Sequence, residues 1–235
     1  SNNHPALARS YSQIGFNLRL KGFYDSALVV YDRAMNIYGE SSGNYKSELA
    51  GCYFDVGWVY AAKGQLGKAL LWNEKSLKIR KALYGENNLN TGNAINMLGW
   101  CYNRMGYHIK ALEYYKRSLT IRINKLGGSH PNVASSYLAI GNLYMELNQY
   151  EKAVHYLEDG SRVWIVKFGK NDRALVRNYN FLAQVYEAKN DTLKSIEYLN
   201  KAIAVADNRL EKFHPELLHT YKILAHQQKK QSKIE

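Results

Sequence analysis

The sequence has few cysteines, no long apolar run, no catalytic signature and a shortage of acidic side chains, and each deficit removes a class of function. Cys52 and Cys101 are its two cysteines, 49 residues apart and without a CxxC spacing. That pattern excludes a disulfide framework or a cysteine-paired zinc site, so a reducing compartment is expected, and with it a cytoplasmic location. No apolar stretch approaches the eighteen or so residues of a membrane span. The longest, around Leu28–Tyr31 and Val163–Val166, are short, and no membrane partner is expected. The chain opens Ser1-Asn2-Asn3 with neither a methionine nor an apolar leader, as an excised segment lacking a signal peptide would. Neither Gly67-Lys68 nor Gly169-Lys170 sits in a phosphate-cradling GxxxxGK(S/T) loop, and no GxSxG elbow or HExxH pair occurs. No catalytic residue, cofactor or metal is therefore expected. Asp and Glu total 20 against 32 Lys and Arg, a net charge of +12. That excess raises an acidic partner or nucleic acid. With no nucleic-acid-binding motif beside it, an acidic protein partner or plain solubility is favoured over nucleic acid.

What is present is a period. With 46% hydrophobic residues the chain is too apolar to stay disordered. Gly15, Gly57, Gly99, Gly141, Ala183 and Ala225 follow one another at steps of 42 residues. Gly43, Gly85, Gly127 and Gly169 form a second series with the same step. His4-Pro5, His130-Pro131 and His214-Pro215 are separated by three and then two such periods. Proline there suits the first turn of a helix, where its missing N–H had no partner to lose. The three histidines are at least one helix layer of ~10 Å apart, too far to share a metal.

Around the first series the neighbours repeat too: Tyr53-x2-Val56-Gly57-x2-Tyr60, Ile95-x2-Leu98-Gly99-x2-Tyr102, Tyr137-x2-Ile140-Gly141-x2-Tyr144 and Tyr179-x2-Leu182-Ala183-x2-Tyr186. Spacings of three, four and seven place these side chains on one face of a helix, here helix A, with the small residue admitting a close neighbour. A punctuator follows, Gly22, Gly64, Gly106, Asn148 or Asn190, where a helix needs a left-handed residue to stop. Ala27-x3-Tyr31, Ala69-x3-Asn73, Ala111-x3-Tyr115, Ala153-x3-Leu157 and Ser195-x3-Leu199 then begin helix B. A helices are expected to begin near Pro5, Leu49, Thr91, Asn132, Ala174 and Pro215, with five B helices between them and no strand.

This pattern resembles the tetratricopeptide repeat (TPR), whose usual unit is about 34 residues. The longer unit of 42 looks like the kinesin light chain class. The resemblance implies an all-α, right-handed TPR superhelix, an α-solenoid of antiparallel helix pairs. Its repeats fall at 8–49, 50–91, 92–133, 134–175 and 176–213, and a capping helix at 214–235 turns Gln227-Gln228-Lys229-Lys230 outward. Tyr53, Tyr60, Tyr102, Tyr137, Tyr144, Tyr179 and Tyr186 read as packing residues. Lys75, Lys78, Arg80, Lys81, Lys116, Arg117, Arg122 and Lys125 read as a solvated outer face of helix B.

Counting from the residue seven before each small residue as position 1, helix A packs through positions 4, 7, 8 and 11 and turns positions 2, 6, 9 and 13 the other way, with 5 and 12 at the edges. In the resembled family that face lines a concave peptide groove. Here it carries Arg9, Gln13, Phe16 and Arg19; Asp55 and Trp58; Asn93, Asn96, Met97, Trp100, Asn103 and Arg104; Asn142; and Arg177, Asn180 and Gln184. Phe16, Trp58 and Trp100 share position 9 in consecutive repeats, and such a stripe serves either as anchor for apolar partner side chains or as inter-repeat packing. The asparagines can pair with a partner backbone or simply be solvated. The carboxylate clamp of chaperone-binding TPRs is missing: its five positions hold Ser12, Phe16, Asp55, Asn93 and Met97, and an aspartate repels a carboxylate. The expected function is a protein-interaction module holding a peptide or partner domain. The alternative is a sensory segment of a larger signalling protein that binds a signalling peptide or restrains an effector domain.

Overall fold

The computed structural model of the chain describes residues 4–41, 44–209, 218 and 220–225. Among them run ten long helices in A/B pairs and no strand: α1 (Pro5–Leu20), α2 (Tyr24–Glu40), α3 (Lys46–Ala62), α4 (Leu66–Tyr84), α5 (Leu89–Arg104), α6 (His108–Leu126), α7 (Pro131–Glu146), α8 (Tyr150–Phe168), α9 (Ala174–Ala188) and α10 (Thr192–Arg209). This is the expected all-α repeat of antiparallel helix pairs. The starts at Pro5 and Ala174 agree with the sequence reading, and those of α3, α5 and α7 lie one to three residues earlier than expected. His214, Pro215 and Gln227–Lys230 lie outside the described residues, within which 220–225 are helical. The chain forms two compact units, Ser1–Ile121 and Arg122–Glu235, their boundary falling inside α6.

In both units the crossing of A on B is set by the first glycine series. A Cβ added at Gly15 would stand 2.9 Å from the Tyr31 ring, at Gly99 2.9 Å from Tyr115, and at Gly141 2.7 Å from Leu157. Only a residue without a side chain lets the helices meet this closely. The A-to-B turns use left-handed residues at every expected place: φ is 81°, 74° and 83° at Gly22, Gly64 and Gly106, and 57° and 61° at Asn148 and Asn190. Asparagine tolerates that region better than other side chains. The His-Pro pairs do more than start a helix. The Nδ1 atoms of His4 and His130 accept from the backbone N–H groups of Ala6 and Asn132, at 3.1 Å each, as N-caps.

The tyrosines pack as expected. Tyr102, Tyr144, Tyr179 and Tyr186 are buried, and Tyr53, Tyr60 and Tyr137 are half-buried. Each A-helix tyrosine set meets one B-helix aromatic of the same register, in the pairs Tyr53–Trp72, Tyr102–Tyr114, Tyr144–Tyr156 and Tyr186–Tyr198. Over the tyrosines lie lysines that also recur every 42 residues. Lys68, Lys110, Lys152 and Lys194 stand 5.3, 4.1, 5.5 and 5.1 Å from the rings of Tyr60, Tyr102, Tyr144 and Tyr186, within cation–π range.

Two residues expected on the solvated face of helix B are not there. Arg80 is 9% exposed and donates through Nη1 to the Asn90 carbonyl at 2.7 Å, tying the end of α4 to the first turn of α5. Arg122, one period later, repeats the tie to the Asn132 carbonyl at 3.2 Å and adds the Ser136 hydroxyl at 2.7 Å. A guanidinium presents several donors in a fixed fork, which lets it reach the second lone pair of a first-turn carbonyl and a neighbouring hydroxyl together.

Candidate functional site

The groove-side positions of the first unit come from α1, α3 and α5, which neighbour one another in the A layer. Trp58 on α3 and Asn96, Met97 and Trp100 on α5 line one cavity of about 300 Å³, whose remaining walls are Ala61 and Ala62. Trp58 is 38% exposed, Trp100 half-buried, and Met97 only 8% exposed. The methionine is therefore wall and floor rather than free surface. Behind it Met97 joins Cys101, Ala61 and Ala69, with Phe54, Tyr60, Leu70 and Trp100 packed against them. The lining is apolar apart from the Asn96 amide, which can both donate and accept. Ala61 and Ala62 carry no aromatic or polar group by which the sequence would mark them for a site. Their signal was smallness on the outward face, which leaves the space that the tryptophans enclose.

Arg19 does not reach outward as expected. Its side chain is 10% exposed and its guanidinium lies between two rings of the aromatic stripe, 4.8 Å from Phe16 and 4.6 Å from Trp58. Its Nη2 stands 3.7 Å from Asp55 Oδ1. Burial raises the Asp55 carboxyl above the ordinary carboxylate range, and the cationic Arg19 and Arg80 pull it back. Asp55 is thus committed to arginines of this chain. Arg9 pairs with Glu48 at 3.6 Å. Asn103 Oδ1 lies 2.8 Å from His108 Nδ1. Arg104 is exposed, its guanidinium 5.8 Å from the Trp100 ring. Phe16 and Gln13 are exposed, and Asn93 is half-buried.

In the second unit Arg177 is exposed, 5.9 Å from the Phe181 ring, and Asn142 donates to Glu146 Oε1 at 3.0 Å. Gln184 is half-buried. Asn180 departs from the expected surface position: it is 4% exposed, and its Oδ1 accepts from Thr220 Oγ1 at 2.9 Å. The same register joins Ser12 to Cys52 at 3.2 Å, also 40 residues apart. The place is one where successive A helices stack. Position 5, expected at the edge of the groove, is covered here by the next helix in the layer.

Among the described residues no cluster of His, Cys, Asp and Glu could hold a metal ion, and no helix is long and apolar enough to cross a membrane. No curated protein matches the chain. Several solved structures share its fold. BtubC (BKLC) from P. vanneervenii superposes with a TM-score of 0.79 at 22% identity, over 90% of this chain and 84% of that one. A putative kinesin light chain of Podosopora anserina with nearly identical TPR-like repeats gives 0.74 at 18%, over 88% and 99%. The Rap conjugation gene regulator of the plasmid pLS20, solved with the Phr* peptide, gives 0.65 at 17%, over 84% of this chain and 53% of the regulator. Sequence models of the tetratricopeptide repeat match residues 6–82, 72–124, 101–165 and 176–209, and with nearly the whole helical region covered, the chain belongs to the tetratricopeptide repeat family.

Proposed function

We propose that the chain is a protein-interaction module that holds a peptide segment of a partner on the A-helix face of its first unit, with a large apolar side chain seated between Trp58 and Trp100. The observation that carries this reading is the cavity itself. Two tryptophans and a methionine bound a space of about 300 Å³ on the face turned from helix B, where a solvated helix would carry polar side chains. Aromatic anchors of this kind supply most of the energy of small interfaces. Asn96 at the cavity and Asn93 and Asn103 on the same helix offer amides to an extended backbone, and the exposed Arg104 beside Trp100 favours an acidic residue next to the anchor. Arg9 and Phe16 extend the proposed contact surface within the first unit, and Asn142, Arg177 and Gln184 are proposed as partner contacts of the second unit taken by itself. The net charge of +12 favours the same partner sign. The fold likeness to a regulator solved with a peptide agrees with it. No catalytic role is proposed.

The test is selection from a phage-displayed library of random twelve-residue peptides, followed by titration of the enriched peptide. The expected outcome is enrichment of a large apolar residue beside an acidic one, with binding weakened by about 2 kcal/mol or more per tryptophan in the Trp58→Ala, Trp100→Ala double variant. Selection that yields no enriched sequence, or a peptide indifferent to both tryptophans, refutes the reading.

A further inference from the structure

We infer that Arg19 is a positioning residue: it holds the Trp58 indole in place as a wall of the cavity, and does not itself bind the partner. The inference rests on the peptide-groove reading for its purpose, but concerns the free protein. Trp58 is otherwise poorly held for a residue of its size, being 38% exposed on the outward face of α3. An exposed indole with one side open to solvent samples several rotamers, and ordering it on binding would lower affinity. One of its faces, however, is covered by a cation from the preceding repeat.

Three contacts fix that cation. The Arg19 guanidinium lies 4.6 Å from the Trp58 ring and 4.8 Å from the Phe16 ring, so it is stacked on two sides. Asp55, one helical turn from Trp58 on α3, holds its edge at 3.7 Å. With its side chain 10% exposed, little of the guanidinium is left for a partner to reach, and its Nε is buried without a hydrogen-bond partner. A planar guanidinium is suited to stacking in a way that an ammonium is not. A cation over an indole gains strength when water is excluded from between them. The sequence thus uses a side chain of α1 to stiffen a wall of a cavity formed by α3 and α5. This also gives the aspartate at this groove position a purpose, since Asp55 neutralises the clamp instead of meeting the partner.

The experiment is ¹⁵N relaxation of the four indole N–H groups in the whole chain without peptide, with Trp58 assigned by its loss in Trp58→Phe. In the unmodified protein the Trp58 order parameter is expected near that of rigid backbone, about 0.85, and in Arg19→Leu below about 0.6. Trp72 and Trp164 are expected not to change, which separates loss of the clamp from general loosening. Arg19→Lys keeps the charge without the planar stacking and is expected to fall between the two. It decides the matter by the same measurement if Arg19→Leu does not fold. A Trp58 order parameter equally high in these variants, or a fall shared by all four indoles, overturns the inference. Because no peptide is present, failure of the library selection would count against the proposed function and leave this result standing.

Discussion

Replacing Gly99 by alanine tests whether the small residue of each repeat is a packing requirement. An alanine inside a helix gains about 0.8–1.0 kcal/mol over glycine from backbone propensity alone. Gly51 on α3 isolates that gain, because an added Cβ there meets no atom within 4 Å. At Gly99 the same Cβ would stand 2.9 Å from Tyr115 Cδ1 and 3.1 Å from Tyr114 Cβ. Tyr115 is 3% exposed, so its ring has no room to withdraw. Forcing a methyl into such a contact costs about 1–3 kcal/mol. Gly51→Ala is therefore expected to stabilise by about 1 kcal/mol, and Gly99→Ala to fall about 1–3 kcal/mol below it. Urea unfolding followed by helical circular dichroism compares the two variants. Hydrogen exchange in α5 and α6 checks that the loss is local, as expected where each repeat touches mainly its neighbours. If Gly99→Ala proved as stabilising as Gly51→Ala, the steric account of the 42-residue series would be wrong.

Asn73 is fully buried against Gly57 with its Oδ1 unpaired, at a position where repeats 4 and 5 carry Leu157 and Leu199. Asn73→Leu is expected to raise stability by about 1 kcal/mol or more in urea unfolding, since it removes a buried acceptor without a donor. Burial pushes the Cys52 and Cys101 thiols from 9.0 up to about 11. Above pH 9 the unfolded chain binds fewer protons than the folded one, so stability is expected to decline between pH 9 and 11 by up to about 1.4 kcal/mol per pH unit and thiol. Cys52→Ser and Cys101→Ser should each flatten that decline, and a slope unchanged in both would refute the assignment. Tyr186→Ala is expected to lower stability by about 3–5 kcal/mol by leaving a cavity, whereas Trp58→Ala should shift the melting temperature little. Equal losses in thermal melts would make Trp58 a packing residue.

The fold was legible because its constraints repeat. Small residues at 15, 57, 99 and 141 and left-handed ones at 22, 64, 106, 148 and 190 state where helices cross and where they turn. Helix starts were less legible, and most so in α3, which begins at Lys46, ahead of its first buried residue, Ala50. Within the candidate site, helical phase alone singles out Trp58, Asn96, Met97 and Trp100, which line one cavity, since the outward face is fixed once the packing face is known. Helical phase says nothing of where a long side chain bends, however. Arg19, Arg80 and Arg122 were expected on outward faces, and each turns back onto a ring or carbonyl of the next A helix. Asn180 failed for another reason: what covers it is the next helix of the layer, a neighbour that no single-helix projection contains.

The arginine ties at the ends of α4 and α6 give two successive junctions between helix pairs the same hydrogen bond. Gly85 and Gly127 both turn at φ 80°, and five residues before each stands an arginine that binds a carbonyl ten residues on. Excising 85–126 would join Tyr84 to Gly127 and hand Arg80 the carbonyl of Asn132 in place of that of Asn90, so such a shortened chain is expected to keep the helical signal per residue of its parent. A whole 42-residue cassette removed between these glycines is thus expected to leave the arginine tie at the remaining junction in place.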